Sequence, residues 1–169
     1  YVGYKDSWGT EPLDVFANKV KLKSLGIKEI DLKNKVSLEE NSRSNFLGVQ
    51  SQLWTETATS ENNFDRMLMP NMIVFSERAW SPREKWLDEN SAKKQEPFLN
   101  ISWNAFVNTI GQRHMPMLSN LYEGLLFDLP KAGGVVEKGI LRIRNQFPGL
   151  QVRYTLDGSE PEKNDSLYI

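Results

Sequence analysis

Two residues in this chain stand out as tools for chemistry. In "LGVQSQLWTET", Leu47 to Thr57, an apolar run carries Gln50 and Gln52 and ends on Trp54 and Glu56. Glutamate is a weak strand former, and a carboxylate is costly to bury unless it is paired or put to use. The other reactive types are scarce. There is no cysteine, which excludes disulfides, thiolate nucleophiles and thiolate metal sites. His114, the single histidine, sits between Arg113 and Met115-Pro116. A multi-histidine zinc site is therefore excluded, and the base of a Ser-His-Asp triad is poorly served. Hydrolytic chemistry would have to rest on carboxylates, with no metal and no cofactor called for.

The elements that must position Trp54 and Glu56 can be read around them. As a strand, the segment puts Leu47, Val49, Ser51 and Leu53 on one face and Gly48, Gln50, Gln52, Trp54 and Glu56 on the other. A greasy face for a helical layer and a polar face ending in a ring and a carboxylate suit a parallel barrel strand, with its site at the C-terminal mouth. Ser60 is a candidate N-cap for a helix through Phe64, Met67 and Leu68. Pro70 predicts a break and a second helix through Met72, Phe75 and Ala79, the Met-rich stripe serving as core. "ENSAKKQEP" reads as a solvated connector. A last helix over 102–120 then carries Trp103, Phe106, Val107 and Ile110 on one face, fading at Gly111 and Pro116.

Upstream, residues 1–40 read as a long surface loop with short extended pieces, and Ser37 with Glu40 as a capping box opening a short helix. Beyond Glu123 the pattern changes to short alternating segments between Gly and Pro turns, including the Asp-Gly of "LDGSEP", which predicts a small antiparallel β unit. Asp157 and Glu160 read there as turn formers. Glu77, Arg78 and Trp80 read as a structural set, ion-paired and packed, and His114 as a surface loop residue.

The whole chain has 169 residues, 39% hydrophobic and 25% charged, which fits a folded domain or parts of two. With 21 basic and 22 acidic residues there is no electrostatic case for nucleic acid or an anionic membrane. No apolar run reaches the ~20 residues of a membrane span. The start in "YVGY" and the stop in "SLYI" read as cuts through strands, so a fragment is expected.

"FLGVQSQLWTET" followed by "MLMPNMIVFSERAWSP" resembles the end of the catalytic barrel in glycoside hydrolase family 20, the β-N-acetylhexosaminidases. "EPL" (11–13) and "LEE" (38–40) resemble the loop before that family's eighth strand. "LLFDLPKAGGVVEKGILRIRNQFPGLQVRYTLDGSEP" is similar to the β module that often follows the barrel in bacterial, chitobiase-type members. The resemblance implies an α/β then β chain. Residues 1–120 would be the C-terminal part of an incomplete (β/α)8 barrel, and 121–169 a partial β-sandwich-like module.

It also implies removal of terminal β-linked N-acetylglucosamine or N-acetylgalactosamine from oligosaccharides or glycoconjugates, with the substrate's own acetamido oxygen as nucleophile. Trp54 matches the tryptophan that packs on the terminal sugar, and Glu56 the carboxylate that accepts from its hydroxyls: an apolar face and an ionised acceptor are what a sugar ring needs. Tyr1 matches a seventh-strand tyrosine on the acetamido carbonyl, although Gly3 stands where the family commonly has Asp. Trp8 is an alternative aromatic for the same loop. The catalytic Asp-Glu pair belongs N-terminal to Tyr1, so no catalytic residue is expected in the chain. Its partners would be the glycan and the missing N-terminal part of the same protein, at an extracytoplasmic location. A non-catalytic carbohydrate-binding or scaffold protein, or a structural appendage, are the other readings open at this point.

Overall fold

The computed structural model describes residues 4–121, 123–147 and 150–169. It divides into two compact units, Tyr1–Asn104 and Ala105–Ile169. Among the described residues every strand lies between 133 and 168, and no helix is long and apolar enough to cross a membrane.

The first unit is helical. Instead of the loop expected over 1–40, its start holds α1 (Tyr4–Trp8), α2 (Lys19–Ser24) and α3 (Glu29–Leu32). Two side chains that pattern reading overlooks make this possible. Asn18 donates its amide N–H to the carbonyls of Glu11 (2.9 Å) and Asp14 (3.3 Å) and accepts from the Glu11 N–H at 2.6 Å, so it closes the loop ahead of α2. Trp8 anchors α1. It is 4% exposed, its ring centroid lies 6.4 Å from that of Trp103, and its indole N–H donates to Ser102 Oγ at 3.2 Å. At the end of α1 a Cβ on Gly9 would meet the Leu99 methyls at 3.2 and 3.3 Å, so a larger residue requires the Leu99 side chain to give by a few tenths of an ångström. The expected capping box at Ser37 does not form. A 3₁₀ turn over Glu40–Asn45 takes its place, with the Glu40 carboxylate 2.8 Å from Arg43 Nε, a partner one turn ahead that leaves it unavailable for capping.

The helix pair after the site segment matches its sequence signals. α4 (Glu61–Leu68) is capped by Ser60 Oγ, which accepts from the Asn63 N–H at 3.2 Å, and α5 (Asn71–Trp80) starts just after Pro70. The face differs from expectation. Val74 is fully buried, while Phe64, Met72 and Ala79 are exposed, so the methionine stripe is not a closed core.

The solvated connector expected near 90–97 is instead the start of α6 (Ala92–Thr109), with Pro97 inside it. Gln95 explains the early start. It is wholly buried, and its amide nitrogen donates to the carbonyls of Ala17 (2.8 Å), Leu87 (3.2 Å) and Glu89 (3.2 Å). One side chain therefore satisfies carbonyls from two separate 3₁₀-containing stretches, a demand that a buried backbone imposes.

In the second unit, the end of α6 buries Phe106 and Val107, and Ile110, Met115, Leu118 and Phe147 are buried as well. Each such side chain is worth about 1.5–3 kcal/mol of apolar burial. Past Thr109 the helix widens into a π turn over Ile110–His114, then α7 (Met115–Leu118). His114 is thus a half-buried helical residue and not a surface loop residue; Pro116, in the first turn of α7, needs no N–H donor.

The β unit comprises two antiparallel pairs: β1 (Gly133–Glu137) with β2 (Ile140–Arg144), and β3 (Val152–Tyr154) with β4 (Ser166–Tyr168). The first turns on Lys138 and Gly139, both at positive φ (52° and 78°), as a two-residue type I′ hairpin requires. Val135, Val136, Ile140 and Leu141 stay exposed, so this sheet has no buried face.

Two outcomes follow. Gln95→Leu keeps the volume but strips the buried carbonyls of Ala17 and Leu87, and the part-buried one of Glu89, of a donor, and should lower stability by about 1–3 kcal/mol; an unchanged urea midpoint would contradict the clamp. In the Asp157 turn, Ser159 donates through its hydroxyl (2.6 Å) and its N–H (3.0 Å) to Asp157 Oδ1, holding that carboxyl below its ordinary range. A depressed folded value favours the folded state above the unfolded pKa and loses that contribution as pH falls through the folded one. An NMR titration should find Asp157 below an unstructured aspartate, with Ser159→Ala returning it toward the usual value.

Candidate functional site

A strand exists only if its N–H and C=O groups find a ladder. Among the described residues, nothing pairs with the backbone of 47–54, and the strand expected there is not formed. Residues 46–55 carry no regular structure, with Leu47 fully exposed and Trp54 69% exposed. The next four residues are better fixed. The Ala58 N–H donates to the Thr55 carbonyl at 3.0 Å, placing Glu56 inside a turn and not at a strand end. Thr57 Oγ1 lies 3.8 Å from Met67 Sδ on α4, and Ser60 follows as that helix's cap. Trp54 and Glu56 therefore come together on one short, solvent-facing segment that leads directly into α4. Neither makes a hydrogen bond, ion pair or ring contact with a described residue, so both the ring and the carboxylate are free for a ligand.

The other sequence candidates fall elsewhere. Tyr1 lies outside the described residues. Trp8 is in the core, with its N–H committed to Ser102, which in turn donates to Glu84 Oε1 at 3.2 Å. It borders an open groove of about 560 Å³ shared with Glu77, Arg83, Glu84, Trp86 and Phe98, which neither Trp54 nor Glu56 lines.

The set at Glu77, Arg78 and Trp80 is not ion-paired and packed as expected. The Glu77 carboxylate accepts from Ser81 Oγ at 2.8 Å, and Arg78 donates to the carbonyls of Ser81 (3.3 Å) and Pro82 (2.9 Å). Glu77 and Arg78 close the C-terminus of α5, and Trp80 is left 90% exposed. Thr57 is the site residue that pattern reading missed. A threonine after a carboxylate carries no signal until the turn brings it against α4.

With this geometry in view, the relatives can be compared. Residues 5–83, which include Trp54, Glu56 and "SERAW", match the model of glycosyl hydrolase family 20, catalytic domain. Residues 115–166 match that of the chitobiase/beta-hexosaminidase C-terminal domain. Residues 5–83 therefore carry the sequence pattern of glycoside hydrolase family 20. It is 34% identical over 122 residues to an N,N'-diacetylchitobiase of Vibrio harveyi, an alignment covering 67% of this chain and 14% of the relative. It is 31% identical over 137 residues to a beta-hexosaminidase of Vibrio vulnificus, covering 71% of this chain and 16% of the relative. The chain thus spans about a seventh of the length of these family 20 relatives.

The exposure pattern has an optical consequence. Trp54 and Trp80 are exposed, whereas Trp8, Trp86 and Trp103 are at most 8% exposed. The W54F/W80F double variant should emit at shorter wavelength than the unmodified chain and resist acrylamide quenching. Emission that stays red-shifted and quenchable would contradict the exposure of the two rings.

Proposed function

We propose that this chain supplies the sugar-gripping end of a β-N-acetylhexosaminidase that removes terminal β-linked N-acetylglucosamine or N-acetylgalactosamine from oligosaccharides or glycoconjugates. The observation that carries the reading is the pairing of a free indole with a free carboxylate, two residues apart, within the stretch that matches the family 20 catalytic domain. In the complete protein, residues 46–54 join a parallel barrel as a strand, their unpaired backbone meeting neighbours supplied by sequence outside this chain, and Glu56 sits in the turn just beyond it. The Trp54 ring then stacks on the apolar face of the terminal sugar, and the Glu56 carboxylate accepts from its hydroxyls.

The reaction is substrate-assisted. The 2-acetamido oxygen attacks the anomeric carbon while an acid protonates the leaving oxygen. The gain is mainly one of effective molarity, so walls that hold the acetamido group bent beneath the ring matter more than a protein nucleophile. The Asp-Glu pair that orients the acetamido group and donates the proton is assigned to the part of the protein preceding this chain, and the chain by itself is inactive. Enzymes that degrade glycans in this way usually work outside the cytoplasm, and the same location is proposed for this protein.

The test is hydrolysis of an aryl N-acetylglucosaminide. The complete protein should turn it over and residues 1–169 alone should not. Glu56→Gln replaces a charged acceptor with a neutral one and should lower kcat/KM about 10- to 100-fold. Turnover that is unaffected by Glu56→Gln and Trp54→Ala would sink the assignment. Sugar binding without turnover in the complete protein would make it a lectin-like relative of the enzyme.

A further inference from the structure

Among the described residues, Thr57 is the one member of 46–59 whose side chain makes a hydrogen bond, and its partner is Met67 Sδ, 3.8 Å away on α4. What else holds this segment at its C-terminal end is the Ala58 to Thr55 backbone bond that closes the turn, and the start of α4 at Ser60, whose hydroxyl oxygen accepts from the Asn63 N–H and whose carbonyl accepts from the Phe64 N–H at 2.9 Å. We infer that Thr57 is a positioning residue, fixing the direction of Glu56 by tying the turn that carries it to the thioether of Met67. This rests on the sugar-binding reading of Glu56 above.

The physical case is one of leverage. Glu56 sits inside a turn whose two ends are linked by a single backbone hydrogen bond, and successive side chains around such a turn point in different directions. A tether on the neighbouring residue therefore sets how the carboxylate is aimed without touching the ligand. Sulfur is a soft, weak acceptor on a side chain that adapts readily to its surroundings. The tether thus limits the swing of the turn while leaving a small adjustment as the sugar enters. Its loss should be felt in ground-state sugar binding, not in proton transfer.

The experiment uses the complete protein and an aryl N-acetylglucosaminide. Thr57→Val removes the donor at constant shape and should raise KM about threefold, the loss of a weak hydrogen bond at the low end of the usual range, with kcat held at the parent value. Thr57→Ser keeps a hydroxyl and should restore KM. Met67→Leu removes the acceptor at nearly constant volume and should reproduce the Thr57→Val effect, and the double variant should be no worse than either alone, since both remove one contact. Melting temperatures of all four should agree, separating aim from folding. Unchanged KM in Thr57→Val, no recovery with Ser, or additive effects in the double variant would overturn the inference. If Glu56→Gln also leaves kcat/KM unchanged, the fault lies with the sugar-binding reading and not with the tether.

Discussion

A β-strand is a property of its neighbours, and the rest of this structure is arranged around one segment without them. Residues 47–54 alternate apolar and polar side chains as a half-buried strand does, yet among the described residues their backbone has nothing to pair with. A peptide group denied a protein partner must keep its water. The segment accordingly runs largely exposed, with Leu47 wholly in solvent and Leu53 half-buried. The same requirement operates at the other end of the chain, where β1 and β2 pair with each other but carry exposed valine, isoleucine and leucine side chains.

The helices behave differently because their hydrogen bonds are local, and the few tertiary links that they need are present. Gln95 joins the first turns of α6 to the Val15–Ala17 and Lys85–Asp88 turns, and Trp8, Ser102 and Glu84 form a short polar relay from α1. Together these make the first unit a helical layer with its own core, against which the site segment is fixed only from Thr55 onward. That division places Trp54 at the last free residue before the anchored turn, and Glu56 within it.

What the sequence made legible follows the same physics. The Ser60 cap, the break at Pro70, and the buried row of Trp103, Phe106, Val107 and Ile110 rest on local rules, and they hold. The Asp-Gly turn and the antiparallel β unit were equally readable from turn chemistry. The misreadings occur where a remote partner decides. Nothing near residue 95 announces that a glutamine will be buried against the Ala17 carbonyl, far back in the chain, so the first turns of α6 looked like a connector. The short helices within 1–40 depend on Asn18 and Trp8 in a comparable way. Trp80 looked like core and proved to be exposed, because α5 turns Val74 inward instead. The strand over 47–56 was read from its pattern, and the pattern alone could not supply its ladder.

The central claim, that Trp54 and Glu56 together hold one terminal amino-sugar, is tested most directly by a crystal structure of the complete protein with N-acetylglucosamine bound. The account predicts residues 46–54 paired as a strand, the sugar's apolar face against the Trp54 indole, and a sugar hydroxyl within hydrogen-bonding distance of the Glu56 carboxylate. A sugar bound elsewhere, with the indole turned under a helical layer or the carboxylate locked to an arginine, would contradict it.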